Sequence, residues 1–181
     1  MLIHTEKSNA NFKGTIIDLE TIGDFNYYND SRRYKDITPT IFGFIDGEML
    51  QIFCAKNKSS IPLLKKKILN ILPILKKPFH AFNSDFERGV LFHFLGKKID
   101  FDSELNKEKF EKKEYAIQAL KIPCYDDPFL GDGKSCMVAW LNGNIGKAVA
   151  HNRSCLLKER DILMFRGNRK PDVLEFKKGV A

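Results

Sequence analysis

Asp18 and Glu20 stand two residues apart in Thr15-Ile16-Ile17-Asp18-Leu19-Glu20-Thr21-Ile22-Gly23, where a short apolar run gives way to acids. On an extended chain residues i and i+2 face one side, so the two carboxylates stand together. Like charges that close repel unless a cation lies between them, and a divalent ion is the simplest such cation. A strand running into a polar loop would carry the same triplet. A second acidic stretch, Asn83-Ser84-Asp85-Phe86-Glu87, follows another short apolar run. With Asn83 as helix cap, Asp85 or Glu87 falls in the first turn, where it can face a ligand or simply complement the helix dipole. Late in the chain, His151, Asn152, Cys155 and Glu159 lie off the core stripe of a long helix. Asn152, Cys155 and Glu159 share one flank at three- and four-residue spacing.

Positioning these groups requires a particular order of elements. A buried strand over 12–17 leads into the first acids, and a polar loop over 24–34, rich in aromatic and basic residues, follows. Strands over 39–45 and 49–54 flank Asp46-Gly47-Glu48, a strong hairpin signal, so the first three strands form an antiparallel meander. Ser59-Ser60-Ile61-Pro62 opens a helix whose stripe is Leu63, Leu64, Ile68, Leu69, Ile71, Leu72 and Leu75, broken at Pro73. Residues 78–83 then return as a strand parallel to the first, completing a strand-helix-strand crossover. The second acids therefore sit beside the first, at the sheet edge where ligand sites gather in α/β proteins. The segment 97–121 is charged and exposed, an insertion or crossover helix, and 122–128 holds a short strand ending in acids. A turn at Gly131-Asp132-Gly133-Lys134 precedes a helical segment over 135–141. The last helix spans 145–165, with Val149, Leu156, Leu163 and Met164 on its core stripe.

The 181 residues, 43% hydrophobic, suit one domain over 1–166 followed by a basic, loosely held tail over 167–181. Thirty Lys and Arg against 23 Asp and Glu leave a formal charge of +7, which favours an anionic partner such as nucleic acid. The four cysteines contain no Cys-x-x-Cys pair, so neither a zinc knuckle nor a disulfide framework is indicated. With no apolar run fit for a signal peptide or a membrane span, the expectation is a soluble, cytoplasmic protein with no membrane partner.

Together the acids and the element order make the chain resemble the DEDD (DnaQ-like) 3′–5′ exonuclease family of the ribonuclease-H-like superfamily. Asp18-Leu19-Glu20-Thr21 resembles the family's first motif, Asp-x-Glu-Thr after a buried strand. Asn83-Ser84-Asp85-Phe86-Glu87 resembles the second, Asn-x-x-Phe-Asp, with Glu87 as the matching acid. His151-Asn152 resembles the head of the third, in which a histidine or tyrosine precedes an aspartate by four or five residues. Cys155 and Leu156 occupy those positions here, and Glu159 is the nearest carboxylate on the same flank. The Gly-Asp-Gly and Trp140 stretch is similar to a branch of predicted exonucleases, here with a degenerate third motif.

The resemblance implies a ribonuclease-H-like α/β fold: a mixed central sheet, three antiparallel strands plus parallel ones, with helices on both faces. It implies two Mg²⁺ or Mn²⁺ ions held by Asp18, Glu20, Glu87 and Glu159, with His151 as the base that takes a proton from the attacking water. Hard carboxylates without a thiolate or imidazole cluster favour those ions over zinc. Thr21, Asn83, Phe86 and Asn152 would touch substrate, with Phe25, Tyr27 and Tyr28 stacking the terminal bases of single-stranded DNA or RNA. The expected activity is 3′–5′ exonucleolytic phosphodiester hydrolysis. Two alternatives accompany it: an impaired module that binds nucleic acid or a partner protein, and a ribonuclease-H-type endonuclease.

Overall fold

The acid-bearing run and the hairpin after it form the middle of a six-stranded mixed sheet. The structure, a computed structural model, describes residues 1–178. Its strands are β1 (Leu2–Lys7), β2 (Thr15–Ile22), β3 (Thr38–Ile45), β4 (Met49–Cys54), β5 (Phe79–Ala81) and β6 (Ser103–Glu104), ordered β1-β4-β3-β2-β5-β6 across the sheet. The helices are α1 (Ile61–Ile71), α2 (Ser84–Leu95), α3 (Lys113–Leu120), α4 (Gly133–Leu141) and α5 (Ile145–Arg166). β2, β3 and β4 are antiparallel neighbours, while β5 runs parallel to β2 and β6 parallel to β5. The hairpin turn is fixed by Asp46. Its N–H donates to the Met49 carbonyl at 3.0 Å, and its carboxylate accepts from the N–H groups of Glu48 and Met49 at 2.8 Å each.

Alternation along β3 assigns the helices to the two faces. Gly43 points at α5, where an added Cβ would meet Asn152 and Leu156. Phe42 and Phe44 point the other way and share that face with Phe53, over which Lys67 of α1 reaches at 4.9 Å. α5 and α1 therefore cover opposite faces, and Ile16, Ile17, Phe42, Ile52, Leu64, Leu91 and Leu156 belong to one continuous core. Among the described residues no helix is long and apolar enough to cross a membrane.

The structure departs from several of the sequence expectations. The first acids lie inside β2, not beyond its end, because β3 pairs along the whole stretch, Asp18 opposite Gly43 and Glu20 opposite Ile41. β1 precedes that strand and closes the far edge on β4, alternating partly buried and exposed residues with a polar majority that hid it. The segment 97–121 is not simply exposed: Phe101 and Leu105 are buried and β6 extends the sheet. No strand forms over 122–128, where Tyr125 and Asp126 both take left-handed backbone angles with φ of 57°, incompatible with an extended run. Met164 is half exposed and off the core.

The start of the tail is also held. Arg169 pairs with the buried Glu104 at 2.6 Å and with Asp172 at 3.0 Å, Phe176 packs on Phe92, and the Lys177 N–H donates to Ser31 Oγ at 2.9 Å. Residues 179–181 of that tail lie outside the described part of the chain.

Candidate active site

Asp18, Glu20, Glu87, His151 and Glu159 converge on one open pocket of about 620 Å³, although none is more than 8% exposed. The convergence begins with β2, whose alternation sends Asp18 and Glu20 toward α5. Gly43 lets α5 come close. A Cβ there would stand 2.0 Å from Asn152 Oδ1 and 2.9 Å from a Leu156 methyl, and without it Asn152 Nδ2 donates to Asp18 Oδ2 at 2.7 Å. Gly43→Ala is therefore expected to cost about 1–3 kcal/mol through overpacking. Urea unfolding measures this, and an unchanged midpoint would mean that α5 shifts freely on the sheet.

The parallel strand β5 delivers Glu87. α2 begins directly after it, and Glu87 in its first turn reaches the pocket. Asn83 occupies the cap position but its side chain makes no capping hydrogen bond, contrary to the sequence expectation. Ser84 Oγ instead donates to Glu104 at 2.7 Å, tying the helix start to β6. Asp85 turns away to Arg88 at 3.3 Å and does not line the pocket, which leaves Glu87 as the acid of this stretch.

α5 carries the third group, and the expected amphipathic stripe fails because this helix is enclosed on nearly every side. His151, Asn152, Cys155, Lys158, Glu159 and Asp161 are all buried. His151 Nδ1 lies 2.7 Å from Asp127 Oδ1, and Lys158 donates to Asp127 Oδ2 at 2.6 Å. Burial opposes the Asp127 charge, but the hydrogen bonds from His151 and Lys158 outweigh it and hold this carboxyl down at about 2. An ionised carboxylate only accepts, so His151 carries its proton on Nδ1. Its Nε2 then faces Glu20 Oε1 at 3.7 Å and the Cys155 sulfur at 3.7 Å.

The acids are electrostatically crowded. Burial and the neighbouring Asp18 charge raise Glu20, and burial with Asp18 and Glu159 raises Glu87. Glu159 is pushed up to about 8 by burial and by Asp18, despite its contact with Lys113. Lys113 Nζ lies 2.5 Å from Glu159 Oε1 and 3.4 Å from Asp18 Oδ1. Burial works against an ammonium there, yet the anions around it raise its pKa well above the usual lysine value.

A divalent cation fits this donor set. Glu87 Oε2 and Glu159 Oε2 are buried without a hydrogen-bond partner, a costly condition that a metal would relieve. Contrary to the sequence expectation, imidazole and thiol groups do stand near the acids. The ligand atoms of Glu20, Cys136 and His151 lie within 4.8 Å of one another, as do those of Asp18, Glu20 and Cys155. Such a mixed set weakens the preference for Mg²⁺ and admits softer divalent ions, zinc among them.

Of the residues assigned to substrate, Thr21, Asn83 and Phe86 line the pocket, whereas Asn152 is fully buried and orients Asp18 instead. Tyr27 and Tyr28 stand outside it. Tyr27 projects fully into solvent and Tyr28 lies under Arg32 at 4.2 Å. The aromatic wall is Phe25, Tyr34 and Phe86, with ring centroids 5.9 to 6.1 Å apart and Arg33 over Phe25 at 5.1 Å. Sequence reasoning missed Asp127, Lys158 and Lys113. The acids before Pro128 were a faint signal for the first, but Lys113 is one of several lysines in a charged run and nothing local distinguishes it. No protein-family model matches the chain, and no curated protein or solved structure shows significant similarity to it, so the site stands on its own geometry.

Proposed function

We propose that the protein is a metal-dependent phosphodiesterase of ribonuclease-H-like fold, acting as a 3′–5′ exonuclease on single-stranded DNA or RNA. One observation carries this reading: four carboxylates from β2, α2 and α5 converge on an open pocket, and two of their buried oxygens have no partner. A bound divalent ion would supply charge to the scissile phosphate and acidify a water. Asp18, Glu20, Glu87 and Glu159 would hold it. His151, its Nδ1–H fixed by Asp127, offers Nε2 to the proton of the attacking water. Arg33 and Lys134, which also line the pocket, provide cations for backbone phosphates, and Phe25 and Phe86 offer faces for the terminal base.

The test is cleavage of 3′- and 5′-labelled single-stranded DNA and RNA with Mn²⁺, Mg²⁺ or EDTA. Metal-dependent shortening from the 3′ end is the expected result, whereas internal cuts would favour the ribonuclease-H-type endonuclease. A second reading, a module that binds without cutting, is favoured by Cys155 at the position of the family's acid. It would give a salt-sensitive gel shift and no products.

The aromatic wall makes a separate prediction. Phe25→Ala is expected to weaken oligonucleotide binding by about 1–2 kcal/mol, while Tyr27→Ala leaves it unchanged. Fluorescence anisotropy measures both, and the reverse order of effects would place the strand on the other side of the loop.

A further inference from the structure

We propose that Lys113 is a built-in cation that fills one of the two ion positions, so that the protein works with a single divalent ion beside a lysine. The proposal rests on the metal-dependent reading above and changes the ion count. Its starting point is the occupancy of Asp18. One Asp18 oxygen accepts from Lys113 Nζ at 3.4 Å and the other from Asn152 Nδ2 at 2.7 Å. A carboxylate that bridges two ions turns an oxygen to each, and here both oxygens already have donors.

The ammonium stands where an ion would. It lies 2.5 Å from Glu159 Oε1 and 3.4 Å from Asp18 Oδ1, so one nitrogen bridges the two carboxylates. An ion placed between those two carboxylates would collide with it. Lys113 is also anchored. It opens α3, whose Ala116 is fully buried with Ile117 and Leu120 packed against the core, and its Nζ passes over the Phe82 ring at 5.6 Å. For the remaining position Asp18 and Glu20 offer carboxylate oxygens within 4.8 Å of each other, and Glu87 Oε2 and Glu159 Oε2 in the same pocket have no partners. Those groups hold the one remaining position.

The chemical consequence is a fixed positive charge next to the scissile phosphate that no chelator removes. Lys113 would neutralise charge at one position, and a single bound divalent ion would supply an acidified water at the other. The compact, rotatable ammonium suits that role.

The experiment counts ions directly. Mn²⁺ is titrated into the wild-type protein and into Lys113→Met and Lys113→Arg, with bound ion quantified by electron paramagnetic resonance. The expected result is one bound Mn²⁺ with an isolated-ion spectrum in the wild type and in Lys113→Arg. Lys113→Met should bind twice as many and show the exchange-coupled spectrum of a pair. Two ions in the wild type would mean that Lys113 swings aside, overturning the proposal while leaving the metal-dependent reading intact. One ion in both wild type and Lys113→Met overturns it too, since no second position would exist for the lysine to fill. No binding by any of the three removes the metal-dependent reading itself. Should Lys113→Met fail to fold, the wild-type and Lys113→Arg counts still decide between one ion and two.

Discussion

Asp18→Asn is expected to lower Mn²⁺-dependent cleavage on the order of 1,000-fold, the scale seen when a group aimed at developing charge is lost. The amide keeps the size of the carboxylate and can still meet Asn152, but it removes the charge shared by Lys113 and any divalent ion. Thermal stability of the metal-free protein should change little. Asp18 repels Glu20 and Glu87, and losing that repulsion offsets the weakened pairing of Lys113. A rise in Tm with Mn²⁺ is expected of the wild type and not of Asp18→Asn, which separates lost metal binding from lost folding. Cleavage that survives in a folded Asp18→Asn protein would refute the central assignment, because Asp18 is the carboxylate held by both Lys113 and Asn152.

The second large effect is a loss of stability with rising pH in the metal-free protein. Glu159 is raised from its ordinary 4.5 to about 8, and Glu20 and Glu87 are also raised. A raised carboxyl holds its proton more tightly folded than unfolded. Its contribution is full below the unfolded value and is lost as pH climbs through the folded one.

Other groups set the window. Asp127, held at about 2, and the lowered Glu6 and Glu111 contribute stability that is already in place above pH 4.5. His80 is held below its usual 6.5 by burial, so it adds stability as pH rises toward that value. The uncompensated loss thus falls between pH 6.5 and 8. A drop in Tm of roughly 5 °C or more is expected across it. Saturating Mn²⁺ should flatten the curve, since the ion takes over the role of the protons. A metal-free Tm that is level or rising across that window would show that the four acids are not crowded as described.

Much of this arrangement is legible in the order of residues. Asp46-Gly47 between two β-rich runs specifies the hairpin because the turn is local chemistry, and the return of 78–83 beside the first strand follows from the crossover. Two acids at i and i+2 on a strand necessarily share a face, so spacing alone pairs Asp18 with Glu20. Glu87 falls at the same sheet edge because its helix starts where a parallel strand ends. The elements that escape such reasoning have a common property. β1 has few apolar residues, β6 has only two residues, and the interior of α5 is polar, so hydrophobic periodicity carries little information about any of them.

The sequence by itself determined the α/β order of elements and the acids on β2 and α2, because strand alternation, turn chemistry and helix starts are set by neighbouring residues. Only the tertiary structure decided which groups complete the site. Asp127 and Lys158 meet His151 across a loop that has no regular period. Gly43 matters because of a helix more than a hundred residues away, whose Asn152 it admits to Asp18. Lys113 becomes a counter-ion to Asp18 and Glu159 only when α3 folds over the pocket. Each of these depends on the close approach of distant segments in a low-dielectric interior, where a charge must find its partner, and local spacing holds no record of that encounter.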